Sequence, residues 1–431
     1  MNIFKLSVKV ITCLFITVAP VAYGQQESLP DNPTDLFRTG QDLKKAVRVN
    51  EAIYQAIGFG NTFMVTTSEG NVIIDTSMVF NAAHHKQLLK AENSGPVKYI
   101  ILTHGHGDHA GGVSAWKEKG TEIIAQKEHV EFAHYQTRLQ GFFARRNAAQ
   151  FSLRIPSPGE WAGNFGANIA PTILFDDQYE FELGGLKFEI YHTPGETYDH
   201  LTVWIPKYRA AFVGDNYYTS FPNIYTLRGT KPRWALDYVS SLNKVLDLKP
   251  EILLPSHGDP VRGNAEIARR LTRYRDAILY VHDETVRGMN AGKDIYTLMR
   301  EIKLPAHLDI GEGYGNLSWS VRGIYEGYAG WFDENPATMY ETPVSSAYSD
   351  LVKLAGGAAA VARLAGERVD KGQAVEALHL ADVALSVEPD NRAALEARLK
   401  ALEALRSRCR NINERGWLDY HIGVTRSRLK E

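Results

Sequence analysis

Three histidines and one aspartate occur within the ten-residue segment Thr103-His-Gly-His-Gly-Asp-His-Ala-Gly-Gly112. His104 and His106 can bind one metal ion together, while Asp108 and His109 lie one turn further on and can face a second ion. Neutral imidazole and carboxylate groups are ligands that suit zinc, and the intervening glycines allow the backbone to fold tightly around a site. The segment therefore predicts a metal site. The alternative is a solvated, histidine-rich turn.

Short apolar segments bounded by turn residues predict the strands that position this cluster. One of them, residues 97–102, ends directly before the histidines, so the cluster is expected at a strand end. The mixture of strands and helices over residues 50–260 predicts a layered α/β or α+β domain, with residues 139–170 as a long loop over it. The other predicted elements are strands at 71–75, 121–125 and 211–213, a hairpin over 179–190, and helices at 82–89 and 235–246.

From about residue 265 the strand pattern stops and helical patterns replace it. Residues 374–385 place alanines and leucines on one helical face, a break follows at 389–391, and residues 393–405 resume the helix. One such helix pair resembles a unit of a repeat protein, but a solenoid needs about three units. We therefore expect an all-α region that packs against another surface.

The HxHxDH motif at residues 104–109 resembles that of the metallo-β-lactamase superfamily. The other ligand segments of that superfamily are matched in order by His192-Thr-Pro-Gly-Glu196, Phe212-Val-Gly-Asp215 and Pro255-Ser-His257. Most members have histidine where this chain has Glu196. The resemblance implies two zinc ions per chain, with one bound by His104, His106 and Glu196, the other by Asp108, His109 and His257, and Asp215 between them.

Other histidines are assigned by their position relative to these segments. His192 and His200 flank Glu196, and we expect them to orient the metal ligands without binding the metal themselves. We expect His84, His85 and His379 to be ordinary surface residues.

A closer similarity, from about residue 45 to 405, is to the alkyl sulfatases, the zinc-dependent type III sulfatases of the superfamily. It rests on Asn223-Ile-Tyr-Thr-Leu-Arg-Gly229 and on the segments 274–287, 319–325 and 327–333. In that branch the asparagine and arginine of the NxYTLRG segment bind the sulfate. The resemblance therefore implies that Asn223 and Arg228 bind substrate and, with Asp108, act in catalysis. Glutamate at the position of Glu196 is typical of the branch.

Three features depart from the usual pattern of this branch. Glycines stand between the motif ligands where serine and alanine are usual, and Asp215 stands where glutamate is usual. The chain ends at Glu431, before the sterol-carrier-like C-terminal domain that full-length members carry.

The resemblance implies an α/β fold, a metallo-β-lactamase αββα sandwich followed by an all-α C-terminal dimerisation region. It also implies a metal-dependent hydrolase that cleaves alkyl sulfates to alcohol and inorganic sulfate by a metal-bridging hydroxide, with attack at carbon and attack at sulfur both open. The alternatives are another hydrolase of the superfamily (a thioesterase, lactonase or β-lactamase) and a non-catalytic dimeric binding protein. Glu196, Asn223 and Arg228 argue against the first alternative, and the seven intact ligands argue against the second.

The first 24 residues have the features of a cleavable signal peptide. Lys5 and Lys9 precede an apolar stretch at 10–18 that is too short for a membrane span, and residues 22–24 offer a cleavage site. A retained N-terminal anchor is the alternative. We expect a signal peptide at 1–24, a catalytic domain at 25–290 and a helical dimerisation region at 291–431, in a periplasmic or secreted homodimer.

The charge balance of the 431 residues limits the class of partner. There are 48 Lys and Arg against 50 Asp and Glu, a net charge of −2, and removal of Lys5 and Lys9 makes it −4. No basic excess is present to neutralise nucleic-acid phosphates or to bind an anionic membrane surface, and no other segment could form a stable membrane span. The expected partner is a small anionic sulfate ester. Cleavage would leave one cysteine, Cys409, so no internal disulfide is expected.

Overall fold

Two β-sheets form the centre of the computed structural model, which describes residues 40–151 and 170–430. The predicted signal peptide and residues 152–169 of the predicted long loop lie outside the described residues. The first sheet contains, in spatial order, β1 Val47–Arg48, β2 Ile53–Ala56, β3 Thr62–Thr67, β4 Gly70–Ile74, β5 Val97–Ile101, β6 Glu122–Gln126 and β7 Ile173–Phe175. The second contains β8 Gln178–Leu183, β9 Leu186–His192, β10 Leu201–Ile205, β11 Ala210–Gly214, β12 Ile252–Pro255 and β13 Val261–Arg262.

Parallel pairing occurs on the strands that precede the predicted ligands. Strands β4, β5, β6 and β7 pair in parallel in the first sheet, and β11 pairs in parallel with β12 in the second. The remaining neighbours are antiparallel. The carboxyl ends of parallel strands meet at one edge of a sheet, where ligands of α/β proteins commonly bind.

The alternation of side chains along the strands builds a core on each face of the first sheet. Val72 and Ile74 of β4 pack in one buried cluster with Phe212 and Leu254 of the second sheet, so the two sheets face each other. Ile73, which points the other way as period-two alternation requires, packs in a separate cluster that contains helix residues.

Helices cover the outer faces of both sheets. The helices of this part are α1 Val79–Glu92, α2 Gly107–Ala110, α3 Val113–Trp116, α4 His129–Arg138, α5 Gln140–Gln150, α6 Ala235–Asp247 and α7 Asn264–Asn290. Residues of α1 and α3 share a buried cluster with the first sheet, and residues of α6 and α7 share one with the second. The layers are thus helix, sheet, sheet and helix, and the predicted αββα sandwich is confirmed.

The remaining described chain is helical, as predicted. Its helices are α8 Ile295–Glu301, α9 Leu317–Ala329, α10 Tyr348–Leu354, α11 Ala358–Asp370, α12 Ala374–Val387, α13 Arg392–Arg408 and α14 Ile412–Lys430. Buried alanines fill the contacts among α11, α12 and α13, while α14 packs both on α13 and on α5 of the sandwich. Within the described ranges, no helix has the length and apolar character that a bilayer span requires.

Residues 328–347 are all exposed, and we call this segment the exposed arm. It connects α9 to α10 and contains two short 3₁₀ turns, Pro336–Met339 and Val344–Ala347. Large apolar side chains project from it, including Trp331 at 76% and Val344 at 78% exposure. A monomeric protein rarely exposes so many large apolar groups together.

Two sequence expectations about the fold and about burial were wrong. Residues 140–150 form helix α5 and not part of a loop, because Phe143, Ala144 and Ala148 supply a buried helical face. His85 is fully buried and not a surface residue, since its ring nitrogens lie 3.0 Å from the Thr62 hydroxyl and 3.2 Å from the Ile57 carbonyl oxygen.

Candidate metal centre

All seven predicted metal ligands lie at or just beyond strand ends that face one edge of the sandwich. His104 and His106 follow β5, and the short helix α2 carries Asp108 and His109. The other three lie between β9 and β10, after β11 and after β12, and are Glu196, Asp215 and His257. Six of the seven are grouped closely enough to bind metal ions in two sets that share Asp215.

The second set has the dimensions of a tetrahedral zinc site. The Nε2 atoms of His109 and His257 each lie 3.4 Å from Asp108 Oδ2. The same two nitrogens lie 3.3 Å from the Oδ2 and Oδ1 oxygens of Asp215, respectively. Ligand bonds of about 2.0–2.1 Å in a regular tetrahedron separate neighbouring ligand atoms by about 3.3–3.4 Å. The four side chains are therefore close enough to hold one metal ion together.

The first set is less regular, and Glu196, the seventh predicted ligand, lies beside it. His104 Nε2 lies 2.8 Å from His106 Nδ1, which lies 3.8 Å from Glu196 Oε1. His104 Nε2 also lies 3.8 Å from Asp215 Oδ2. Because that oxygen is also 3.3 Å from His109 Nε2, Asp215 lies within reach of ligand atoms of both sets.

Asp75 orients the His109 ring through a contact with Nδ1, and this role was not predicted from the sequence. It is fully buried after β4, and its Oδ2 lies 2.8 Å from His109 Nδ1. It also accepts hydrogen bonds from the Thr103 amide and hydroxyl and from the Ser256 hydroxyl. A proton held on Nδ1 leaves Nε2 as the metal-binding nitrogen, and within the described residues that Nε2 has no hydrogen-bond partner. The sequence did contain a signal for this role, because Asp75 ends a predicted buried strand.

His200 supports Asp215, whereas His192 does not reach the cluster. The buried Nε2 of His200 accepts a hydrogen bond from the Asp215 amide at 3.1 Å. Gly214 has a φ of +52°, and a Cβ there would lie 2.3 Å from that same nitrogen, so glycine allows the close approach. His192 instead contacts the Tyr198 carbonyl oxygen at 2.9 Å.

Three polar groups fix the buried Glu196, two at its carboxylate and one at its backbone amide. Arg233 Nη1 lies 2.5 Å from Glu196 Oε1, and the Tyr238 hydroxyl donates to Oε2 at 2.9 Å. The side-chain oxygen of Asn216 accepts the Glu196 amide at 3.0 Å. Arg233 and Tyr238 were also missed in the sequence, although Arg233 follows the NxYTLRG segment by four residues.

The electrostatic surroundings favour neutral His104 and His106 and ionised Asp108 and Asp215, the forms that bind metal. Burial lowers the pKa values of His104 and His106, and neighbouring positive groups lower them further. Burial acts to raise the pKa values of Asp108 and Asp215, but His109 and His257 outweigh it and lower both.

For His109, His257 and Glu196, burial and the neighbouring charges shift the pKa in opposite directions. Burial acts to lower the pKa values of His109 and His257, but Asp215 and Asp108 raise both, that of His257 to about 9. Burial raises the pKa of Glu196 to about 7 against the opposing charge of Arg233. The buried carboxylates thus attract positive charge to the place where the ligand atoms converge.

One of the two predicted sulfate-binding residues, Arg228, lies beside the first set of ligands. Arg228 Nη2 is 3.2 Å from His106 Nε2. Asn223 is buried, and neither its side-chain oxygen nor its nitrogen has a hydrogen-bond partner within the described residues. Both belong to the loop of residues 223–229 between β11 and α6, which we call the anion loop. A buried amide without a partner is costly and indicates a ligand-binding role.

Two family models match the chain in separate segments. Residues 56–257 match the metallo-β-lactamase superfamily, and residues 295–426 match the alkyl sulfatase dimerisation family. The exact predicted boundary between residues 290 and 291 stays a prediction.

Curated relatives and a solved structure agree with these matches. The linear primary-alkylsulfatase of Pseudomonas sp. (strain ATCC 19151) is 32% identical over 381 residues, which cover 82% of this chain and 72% of that protein. The (R)-specific secondary-alkylsulfatase of Pseudomonas sp. is 27% identical over 82% of this chain and 58% of that protein. The structure of a stereoselective inverting sec-alkylsulfatase from Pseudomonas sp. superimposes with a TM-score of 0.80 at 24% identity, covering 89% of this chain and 65% of that one.

These matches confirm the resemblance inferred from the motifs. This chain spans only part of each relative, between 58% and 72% of its length. The chain belongs to the alkyl sulfatase branch of the metallo-β-lactamase superfamily.

Proposed function

We propose that this protein is a zinc-dependent hydrolase that cleaves alkyl sulfates to an alcohol and inorganic sulfate. The observation that carries the proposal is the position of Arg228, whose Nη2 lies 3.2 Å from the His106 ring at the metal-ligand cluster. A guanidinium beside the cluster suits an anionic substrate, because its planar fork can donate two hydrogen bonds to a tetrahedral oxyanion. The relatives named as alkylsulfatases support the same substrate class.

The buried amide of Asn223 supports a sulfate ester over a neutral lactone or lactam. A sulfate group offers several acceptor oxygens, so the Asn223 nitrogen and the Arg228 guanidinium can bind it from the same loop. Glu196 contributes a negative charge where most superfamily members have a neutral histidine, which reduces the positive charge of the cluster. Arg228 supplies a positive charge next to the place where the anion binds.

Zinc, two ions per chain, is the proposed cofactor. When bound, two zinc ions supply a nucleophile near neutral pH by lowering the pKa of water, and they polarise a sulfate oxygen. His104, His106 and Glu196 would bind one ion, Asp108, His109 and His257 the other, and Asp215 would contact both. Asn223 and Arg228 orient the ester toward this cluster.

Elemental analysis tests the metal content. We expect about two zinc ions per chain after zinc loading, since seven protein ligands exceed the four of one tetrahedral ion. Asp108→Ala should lose one ion and nearly all activity, while Asp176→Ala, at an exposed aspartate paired with Lys127, should retain both. One ion or none in the loaded wild-type protein would contradict the two-metal site.

Turnover of a short and a long alkyl sulfate by the zinc-loaded protein tests the reaction. Arg228→Ala should reduce kcat/KM by about a hundredfold, or about 3 kcal/mol, because it removes a charged hydrogen-bond donor. Its zinc content should not change. Hydrolysis of a lactone, thioester or β-lactam without any cleavage of sulfate esters would assign the protein to another reaction of the superfamily, and binding without turnover would make it a binding protein.

We also propose that the helical region forms a homodimer across a twofold axis. The match to a dimerisation family over residues 295–426 supports this, and so do the apolar side chains of the exposed arm. An obligate dimer is expected to bury more than about 2,000 Å². Light scattering on the purified protein at micromolar concentration should give twice the chain mass, and the mass of one chain would refute the proposal.

Export is proposed from the N-terminal sequence. Lys5 and Lys9, the short apolar stretch and the small residues Ala22 and Gly24 support cleavage after Gly24,. Mass spectrometry of the protein recovered from the periplasm or medium should then find Gln25 as the first residue. An intact Met1 in a cytoplasmic fraction would overturn both the cleavage and the export.

A further inference from the structure

One face of helix α5 contacts the anion loop. Phe142, Arg146 and Gln150 lie four residues apart and therefore on the same face of the helix. A Cβ at Gly229 would lie 3.2 Å from the Phe142 ring, so this ring borders the end of the loop. Gln150 Nε2 lies 3.4 Å from the Thr226 hydroxyl.

Arg146 makes the strongest of these contacts. Its Nε donates to the Arg228 carbonyl oxygen at 2.6 Å, and its Nη2 donates to the Leu227 carbonyl oxygen. A planar guanidinium that binds two consecutive carbonyl groups restricts the φ and ψ rotations of Arg228, whose Cα lies between them. Those rotations set the direction in which the Arg228 side chain leaves the backbone.

The opposite side of the loop is fixed by different elements. Gly323 of α9 packs against Tyr225, since a Cβ at that glycine would lie 2.9 Å from the tyrosine side chain. Arg233 Nη1 donates to the Asn223 carbonyl oxygen at 2.9 Å. Neither contact reaches the backbone carbonyls of 227 and 228, which α5 binds through Arg146.

The helical region fixes α5 in turn. Gln150 Nε2 donates to the side-chain oxygen of Asn413 in α14 at 2.8 Å. The guanidinium carbon of Arg146 lies 5.5 Å from the centre of the Trp417 ring, in the range of a cation–π contact,. One turn of α14 therefore contacts both the end of α5 and the side chain that binds the anion loop.

We propose that Arg146 is a positioning residue that sets the affinity of Arg228 for the sulfate group. The inference rests on the proposed function, because it assigns the sulfate group to Arg228. Arg146 touches neither the substrate nor the metal ligands in this arrangement. It acts by fixing the backbone from which Arg228 projects.

The test compares Arg146→Ala with Arg145→Ala in the zinc-loaded, full-length protein. Arg145 is the next residue of the same helix and is exposed, so its removal is a matched control for the loss of charge. Arg146→Ala should raise KM for a short alkyl sulfate by about tenfold, as expected for losing a charged hydrogen bond. Zinc content should remain that of the wild type, and Arg145→Ala should change KM by less than about twofold.

A double-mutant cycle separates positioning from general damage to the fold. In an Arg228→Ala background, Arg146→Ala should cost less than about twofold in kcat/KM, because the group it positions is gone. An equal loss in both backgrounds would refute the proposal. Arg146→Lys keeps the charge without the planar fork, so full activity in that variant would also refute it.

Hydrogen–deuterium exchange of the peptide that covers residues 224–230 gives a readout independent of turnover. The Gly229 amide donates to the Thr226 carbonyl oxygen at 3.0 Å, and its exchange should accelerate in Arg146→Ala but not in Arg145→Ala. Unchanged exchange would overturn the positioning role whatever the substrate. If the exchange changes but the wild-type protein cleaves no sulfate ester, the proposed function fails while the contact of Arg146 with the loop stands.

Discussion

The guanidinium of Arg233 and the carboxylate of Glu196 form an ion pair, 2.5 Å from Nη1 to Oε1, with both side chains buried. The pair explains how a glutamate can occupy a ligand position that is histidine in most of the superfamily. A carboxylate in that buried place needs a positive partner when no metal ion is near, whereas a neutral imidazole does not. Arg233 supplies that partner and leaves Glu196 Oε1 within 3.8 Å of His106 Nδ1.

Arg233→Met should lower the free energy of unfolding of the metal-free protein by about 3–5 kcal/mol, because it leaves a buried carboxylate without its partner. Urea denaturation monitored by circular dichroism measures the change. The control is Arg363→Met in the exposed pair with Glu367, which should cost less than about 0.5 kcal/mol. The double variant Arg233→Met/Glu196→Gln should recover part of the loss, and a cost equal to the sum of the single changes would contradict the pairing.

Asp75→Asn should weaken zinc binding by about 10- to 100-fold, because an amide at that position cannot accept all the hydrogen bonds that the carboxylate accepts. The ring of His109 would lose the acceptor that keeps the proton on Nδ1. Competition with a chromophoric chelator measures the affinity. Asp176→Asn, on the exposed surface, serves as the control, and an Asp75→Asn protein that binds zinc like the wild type would exclude this role.

Two glycines of α14 should respond in opposite directions to alanine. A Cβ at Gly416 would lie 1.7 Å from the Gln150 carbonyl oxygen, whereas a Cβ at Gly423 would meet no atom of the described residues within 4 Å. Gly416→Ala should therefore destabilise the protein by about 1–3 kcal/mol through overpacking. Gly423→Ala should stabilise it by about 0.5–1 kcal/mol through helix propensity. Thermal unfolding compares them, and two stabilising changes would mean that α14 does not pack tightly on α5.

A charge on the exposed arm should disrupt the proposed dimer. Val344→Asp and Tyr340→Asp place a carboxylate in the middle of the expected interface, where its desolvation is costly, so the dissociation constant should rise by at least about tenfold. Sedimentation velocity over a dilution series measures it. Leu174→Asp, at an exposed position of the sandwich, is the control. If both arm variants dimerise as tightly as the control, the interface lies elsewhere.

The sequence was most informative where ligand chemistry requires fixed spacing. Residues 104–109 form a local motif, and the apolar strand before them could be recognised from composition alone. The structure places strands at 97–101 and 122–126, within one residue of the predicted ends. The αββα layers followed because the family motif is specific to that fold.

Contacts between distant segments were not predictable from periodicity. Residues 140–150 carry arginines and small residues that resemble a loop, and packing of their buried face against α4, α14 and the anion loop accounts for their helix. Asp75 and Arg233 look like ordinary turn and surface residues, since their partners His109 and Glu196 lie 34 and 37 positions away. His85 is buried because the Thr62 hydroxyl and the Ile57 carbonyl oxygen satisfy its ring, which a single-residue burial preference does not reveal.

The hydrogen bond between Gln150 and Asn413 joins residues 263 positions apart in the chain. Contacts of such long range form late, because most of the chain must be ordered before their closure entropy is repaid. During synthesis, all the metal ligands have been translated once His257 is added, but the helix that fixes α5 has not. A nascent chain of that length can already contain the complete ligand set while its anion loop still lacks the support of α14. Synthesis of the metal-binding part and completion of the substrate-binding part are thus separated by the time needed to translate more than 150 residues.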